Sequence, residues 1–104
     1  MSKHALTGLT KIMALEYAPA KIRINAVAPS VIETERISSF IAGNDDVTQA
    51  LAKYGISPCN PLVGPGDSLP QVADVTAAVA FLCGAESKFI NGVVLPIDGG
   101  YSCN

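Results

Sequence analysis

The stretch at residues 22–34, Ile-Arg-Ile-Asn-Ala-Val-Ala-Pro-Ser-Val-Ile-Glu-Thr, constrains this chain more than any other. Ile22, Ile24, Ala26 and Ala28 alternate with Arg23, Asn25 and Val27, and the run reads as a buried strand, covered on both faces as strands of parallel sheets are. Pro29 then ends the run. In open α/β sheets ligands bind beyond the carboxyl ends of the strands, so a strand that stops at Pro29 delivers Ser30, Val31, Ile32 and Thr34 to such a crevice. Those residues are half of a site, and the other half has to come from elsewhere. Asn25, polar in mid-strand, needs hydrogen bonds: either it bonds backbone beside the strand and holds a loop, or it touches a ligand.

Upstream, residues 3–18 carry few breakers and stop at Pro19, which predicts a helix. Leu6, Leu9, Met13 and Tyr17 form one apolar stripe; Ala5, Gly8, Ile12 and Leu15 form a second beside it. Two stripes imply two neighbours, a sheet and another helix. Lys3, Thr7, Thr10 and Lys11 are assigned to the polar face. Glu16 falls inside the apolar arc, and Arg23 is its expected partner.

Downstream, residues 35–70 break the pattern. Asp46 and Gln49 have capping-box spacing, and Val47, Ala50, Leu51 and Tyr54 follow at helical spacing up to Gly55, so a short helix is expected inside a long excursion. Pro58, Pro61, Gly64, Pro65 and Gly66 make the remainder loop. An excursion of this length is either a functional lid or binding loop, or a disordered insert. Ser68 and Gln71 give a second capping-box start with Pro70 in the first turn; Val72, Val75, Val79 and Leu82 then repeat helically up to Gly84. Asn91-Gly92 predicts a turn and residues 93–97 a strand, with Pro96 suited to a sheet edge. The order is helix, strand, long excursion, helix, strand. It describes an α/β chain, the tail of a doubly wound, Rossmann-like parallel sheet in one partial domain over residues 1–104.

Composition narrows the function. A net charge of −2 and a pI near 5.1 leave no basic stripe for nucleic acid. The apolar runs fall far short of the ~20 residues of a spanning helix, and Met1 to His4 lead straight into a helix with no signal-peptide core, so no membrane association is expected. Cys59, Cys83 and Cys103 are odd in number and lack metal-ligand spacing. They read as reduced thiols of a cytoplasmic protein, with Cys83 a small buried hydrophobe and no metal site.

The segments Ser2-Lys3-His4-Ala5-Leu6-Thr7-Gly8-Leu9-Thr10-Lys11, Ala14-Leu15-Glu16-Tyr17-Ala18, Ile22-Arg23-Ile24-Asn25-Ala26-Val27-Ala28-Pro29 and Val94-Leu95-Pro96-Ile97-Asp98-Gly99-Gly100 together resemble the carboxyl-terminal part of a classical short-chain dehydrogenase/reductase. The resemblance implies NAD or NADP as cofactor, a small alcohol or carbonyl substrate, and residues 35–70 as a substrate lobe. It also implies a homo-oligomer or association with a full-length relative. Lys3 matches the lysine of the family's Tyr-x-x-x-Lys motif, a catalytic and cofactor-binding residue; the alternative is a solvated lysine in a first helical turn. Pro29, Ser30, Val31, Ile32 and Thr34 match the loop around the nicotinamide, with the Ile32 backbone and the Thr34 hydroxyl on the carboxamide. Asp98-Gly99-Gly100 matches a turn and subunit contact after the last strand.

Two departures stand out. Counting back from Lys3, the family's tyrosine falls before Met1, as do its serine, its asparagine and its Gly-rich loop, so the chain alone is expected to be inactive. Ser30 stands where the family commonly has glycine, which would restrict the loop if a positive φ were needed there. A non-catalytic protein docking on a full-length relative, or a truncated gene product, are the alternative readings.

Overall fold

The computed structural model describes residues 2–37, 62 and 69–103. The expected helix at 46–54 and most of the loop around it therefore lie outside the described residues. Among the described residues the fold is carried by α1 (Ser2–Tyr17), β1 (Ala26–Pro29), α2 (Val72–Cys83) and β2 (Val94–Ile97). The two strands are parallel, with Ala26 opposite Val94 and Pro29 opposite Ile97, so the α/β reading holds.

α1 stops where proline dictates. A 3-10 turn, Ala18–Ala20, carries Pro19 in its first positions, and Lys21 closes it in the left-handed region at φ 62°. The Lys21 N–H donates to the Ala18 carbonyl at 2.9 Å and that of Ile22 to Tyr17 at 3.3 Å, using carbonyls the helix end leaves open.

The strand begins later than its alternation predicts, because the chain opposite residues 22–25 is a turn and side chains replace the ladder there. Asn91 Oδ1 accepts from the Ile24 N–H at 3.0 Å, and the Gly92 N–H donates to the Ile24 carbonyl at 2.8 Å. Asn25 donates to the Ile90 carbonyl and accepts from the Val93 N–H, both at 3.0 Å. Its backbone-bonding reading is the one realised. Asn91 also donates to the Ala14 carbonyl at 3.0 Å, which ties α1 to the same turn.

The buried face of α1 is not the expected one. Thr10 and Ala14 are 4% and 3% exposed, whereas Leu6, Leu9, Ile12 and Leu15 stand out at 51% to 78%. Thr10 tolerates burial because its hydroxyl donates to the Leu6 carbonyl at 2.7 Å, leaving a methyl to pack. Ala14 is small enough for the turn at Gly92 to approach. Both leucine-bearing stripes remain open.

α2 is capped by Gln71, with the box made to Asp74: the Gln71 N–H donates to Asp74 Oδ2 at 2.7 Å, three residues on, and Pro70 lies before the helix and not in its first turn. Only Leu82 of its apolar set is buried; Val72 and Val79 are exposed, and so is the Cys83 thiol, contrary to its expected burial. Val79, Leu82 and Cys83 form the helical wall of a groove of about 570 Å³ whose other wall is Lys21, Arg23, Ile24, Asn25, Ala26 and Val27.

The carboxyl end of α2 is closed by groups from two sides. The Ser87 hydroxyl, on a residue 1% exposed, bonds the Leu82 and Gly84 carbonyls at 2.9 and 3.0 Å. Arg23 reaches the Gly84 carbonyl at 3.2 Å and the Ile90 carbonyl at 3.1 Å. It is thus a cation at a helix carboxyl end and not the partner of Glu16, which is exposed. After β2 the chain turns at Gly99 and Gly100, both at positive φ, with Asp98 accepting from the Gly100 and Ser102 N–H groups at 3.0 Å each.

Candidate functional site

β1 ends at Pro29, and residues 30–34 run off its carboxyl end as the sequence predicts. The Ser30 N–H donates to the Ile97 carbonyl at 3.2 Å, continuing the pairing of β1 with β2 by one bond. Ser30 is not among the residues at positive φ; Lys21 is the one described non-glycine residue there. Serine in place of glycine therefore costs this loop no backbone strain.

The far end of the loop is fixed too. The Glu33 N–H donates to the Pro70 carbonyl at 2.7 Å, making a parallel bridge between Glu33 and Gln71. Gln71 donates from its side chain to the Glu33 carboxylate at 2.5 Å and to the Leu69 carbonyl at 3.0 Å. The chain entering residues 35–70 and the chain leaving them are therefore hydrogen-bonded to each other. Sequence reasoning missed both residues. The available signal was Gln71 and Asp74, a capping spacing in competition with Ser68 and Gln71.

Between those anchors, Val31 and Ile32 are half-buried, and their backbone groups make no hydrogen bond among the described residues. Thr34 Oγ1 accepts from the Ile37 N–H at 3.4 Å, capping the helical turn at 35–37. A hydroxyl has one proton and two acceptor sites, so Thr34 retains its proton to donate. Lys3 lies in the first turn of α1. Among the described residues the loop thus presents open backbone polar groups and one hydroxyl at a strand end. Among the described residues no three His, Cys, Asp or Glu side chains gather as a metal site, and no helix is long and apolar enough to cross a membrane.

A parallel β-pair with helices before and between its strands is the pattern of one end of a doubly wound α/β sheet. The family model described as enoyl-(acyl carrier protein) reductase matches residues 1–102. Levodione reductase of Leifsonia aquatica is 37% identical over 101 residues, covering 97% of this chain and 36% of the relative. The structure of ElxO with NADP bound superposes with a TM-score of 0.79 at 38% identity, covering 98% of this chain and 38% of that one. For 4-hydroxyisoleucine dehydrogenase complexed with NADH the TM-score is 0.77 at 31% identity, covering 99% and 38%. The chain belongs to the short-chain dehydrogenase/reductase family, and it spans little more than a third of these relatives' length.

Proposed function

We propose that the chain is the carboxyl-terminal part of an NAD(P)-dependent oxidoreductase acting on a small alcohol or carbonyl substrate. Residues 29–34 are its nicotinamide loop and residues 35–70 its substrate lobe. The nicotinamide, when bound, supplies or accepts the hydride. In this reading the Ile32 backbone and the Thr34 hydroxyl hold the carboxamide, and Lys3 binds ribose hydroxyls. The Lys3 ammonium also lowers the pKa of a neighbouring phenol, which at about 10 is otherwise a poor acid–base group at neutral pH. The observation that carries the reading is the loop itself, anchored at Ser30 and Glu33 with the backbone of Val31 and Ile32 and the Thr34 proton uncommitted among the described residues.

In the family pattern the contacts to adenine and pyrophosphate belong to the Gly-rich half of the sheet, so the isolated chain should bind NADH and NADPH at about millimolar level or weaker and turn over nothing. Calorimetry with both nucleotides tests this; micromolar affinity would make residues 29–34 a site in their own right and overturn the division of labour. The open leucine stripes of α1 favour a second reading, a non-catalytic protein that docks on a full-length relative. Cofactor-dependent turnover by the isolated chain would remove it as a sufficient account.

A further inference from the structure

The nicotinamide loop is short, so where its two ends are tied decides where its polar groups point. One tie is the Ser30 N–H on the Ile97 carbonyl, which belongs to the sheet. The other is the Glu33 N–H on the Pro70 carbonyl at 2.7 Å, which belongs to the approach to α2. Only Val31 and Ile32 lie between the tied residues. With both ends fixed, their few torsions have little freedom, and Thr34 follows directly from the second tie.

That second tie is reinforced by side chains. Gln71 spans the Glu33 carboxylate and the Leu69 carbonyl with one amide nitrogen, while its backbone N–H is held by Asp74 in the first turn of α2. Neither Glu33 nor Gln71 belongs to the loop's carboxamide-facing set. We infer that Glu33 and Gln71 are positioning residues that set the nicotinamide loop against the amino end of α2, so that their pairing governs cofactor affinity without taking part in the chemistry. This inference rests on the reading of residues 29–34 as the nicotinamide loop.

The test uses a complete enzyme, a chimaera in which this chain replaces the matching part of levodione reductase, whose crystal structure superposes with a TM-score of 0.73. Gln71→Leu removes the amide donor, and Gln71→Glu sets two carboxylates against each other. Each should raise KM for the nicotinamide nucleotide about two- to tenfold with kcat nearly unchanged, the range expected for one solvent-accessible hydrogen bond. Adding Glu33→Gln to Gln71→Glu restores a donor–acceptor pair in the reverse sense and should return KM towards its starting value. A merely structural role predicts lower thermal stability and lower kcat with no rescue of KM, and that pattern overturns the inference. An unmodified chimaera whose NAD(P)H fluorescence does not titrate would overturn the nicotinamide-loop reading and this inference with it; variants indifferent in a chimaera that does bind overturn this inference alone. Hydrogen exchange of the 104-residue chain provides a second measurement. The Glu33 amide should be protected and should lose protection in Gln71→Leu while the Ser30 amide keeps it; an unprotected Glu33 amide in the parent chain overturns the inference.

Discussion

A β-carbon placed on Gly92 would come within 3.3 Å of the Ala14 methyl, so α1 meets the turn before β2 closely enough that even a methyl there needs α1 to give by a few tenths of an ångström. Gly92 also holds φ at +76°, a region that L side chains adopt at a cost. Gly92→Ala should therefore destabilise the fold by about 1–3 kcal/mol, combining backbone strain with a shift of α1. Urea unfolding of the levodione reductase chimaera reads it, and an unchanged midpoint would mean that α1 yields freely at this point.

Arg23 closes the end of α2 with two hydrogen bonds to carbonyls, at Gly84 and Ile90. Replacing it by Met keeps the aliphatic stem and removes both charge-assisted bonds, for a loss of about 2 kcal/mol. Lys should recover less than half of this, because one ammonium cannot span two carbonyls as a planar fork does. Equal stability of the Lys and wild-type proteins would reduce the role of Arg23 to its charge.

These two contacts show how unevenly the sequence discloses the fold. Periodicity placed α1 to within a residue or two of Ser2–Tyr17, and Pro19 and Pro29 marked real ends. The parallel α/β class followed from element order alone. Which face of α1 is buried did not follow: a threonine that bonds its own helix backbone behaves as an apolar residue, so Thr10 changed sides. The partner of Arg23 was also illegible, since its carbonyl acceptors lie about sixty residues away in sequence and carry no side-chain signal. In the candidate site, Pro29 located the strand end from which residues 30–34 run. The Glu33–Gln71 pair that anchors them depends on a backbone bridge between distant segments.

Asp98 predicts an acid-side loss of stability. The Ser102 hydroxyl is the main reason its carboxyl lies below the usual carboxylate range; partial burial opposes the shift, and the Gly100 and Ser102 N–H groups add to it. A depressed folded-state pKa means the unfolded chain binds the proton first as pH falls. The contribution is therefore complete above the unfolded value of about 4 and disappears as pH drops through the lower folded value. Melting temperatures from pH 6 down to pH 2 should show a steeper acid-side fall in the parent than in Asp98→Asn, and parallel curves would exclude the contribution.

The proposed roles of Thr34 and Lys3 separate in kinetics. In the levodione reductase chimaera, Thr34→Ala should weaken cofactor binding by about 0.5–1.5 kcal/mol, the net worth of one hydrogen bond, with a small effect on kcat. Lys3→Ala should lower turnover far more than binding, because the ammonium acts on the proton-transferring phenol. Turnover unchanged after Lys3→Ala would take Lys3 out of the mechanism.

Made alone, the 104-residue chain should self-associate. Its buried apolar core among the described residues is Ala14 and Leu82, while Leu6, Leu9, Ile12 and Leu15 of α1 stand 51% to 78% exposed. Apolar side chains gathered on one helix lose about 25 cal/mol for every Å² left in water, so a second copy laid against α1 recovers what the chain's own fold leaves exposed. β1 has β2 on one side, and the groove along residues 21–27 leaves a further length of extended chain uncovered. Helix face and groove act in the same direction, but only the helix face is removable by surface substitution. Ile12→Glu with Leu15→Lys should therefore shift sedimentation at micromolar concentration towards the monomer without loss of helical signal. If the parent chain is already a monodisperse monomer with protected amides at residues 26–29, the two-stranded unit is self-sufficient and the α1 face needs no partner.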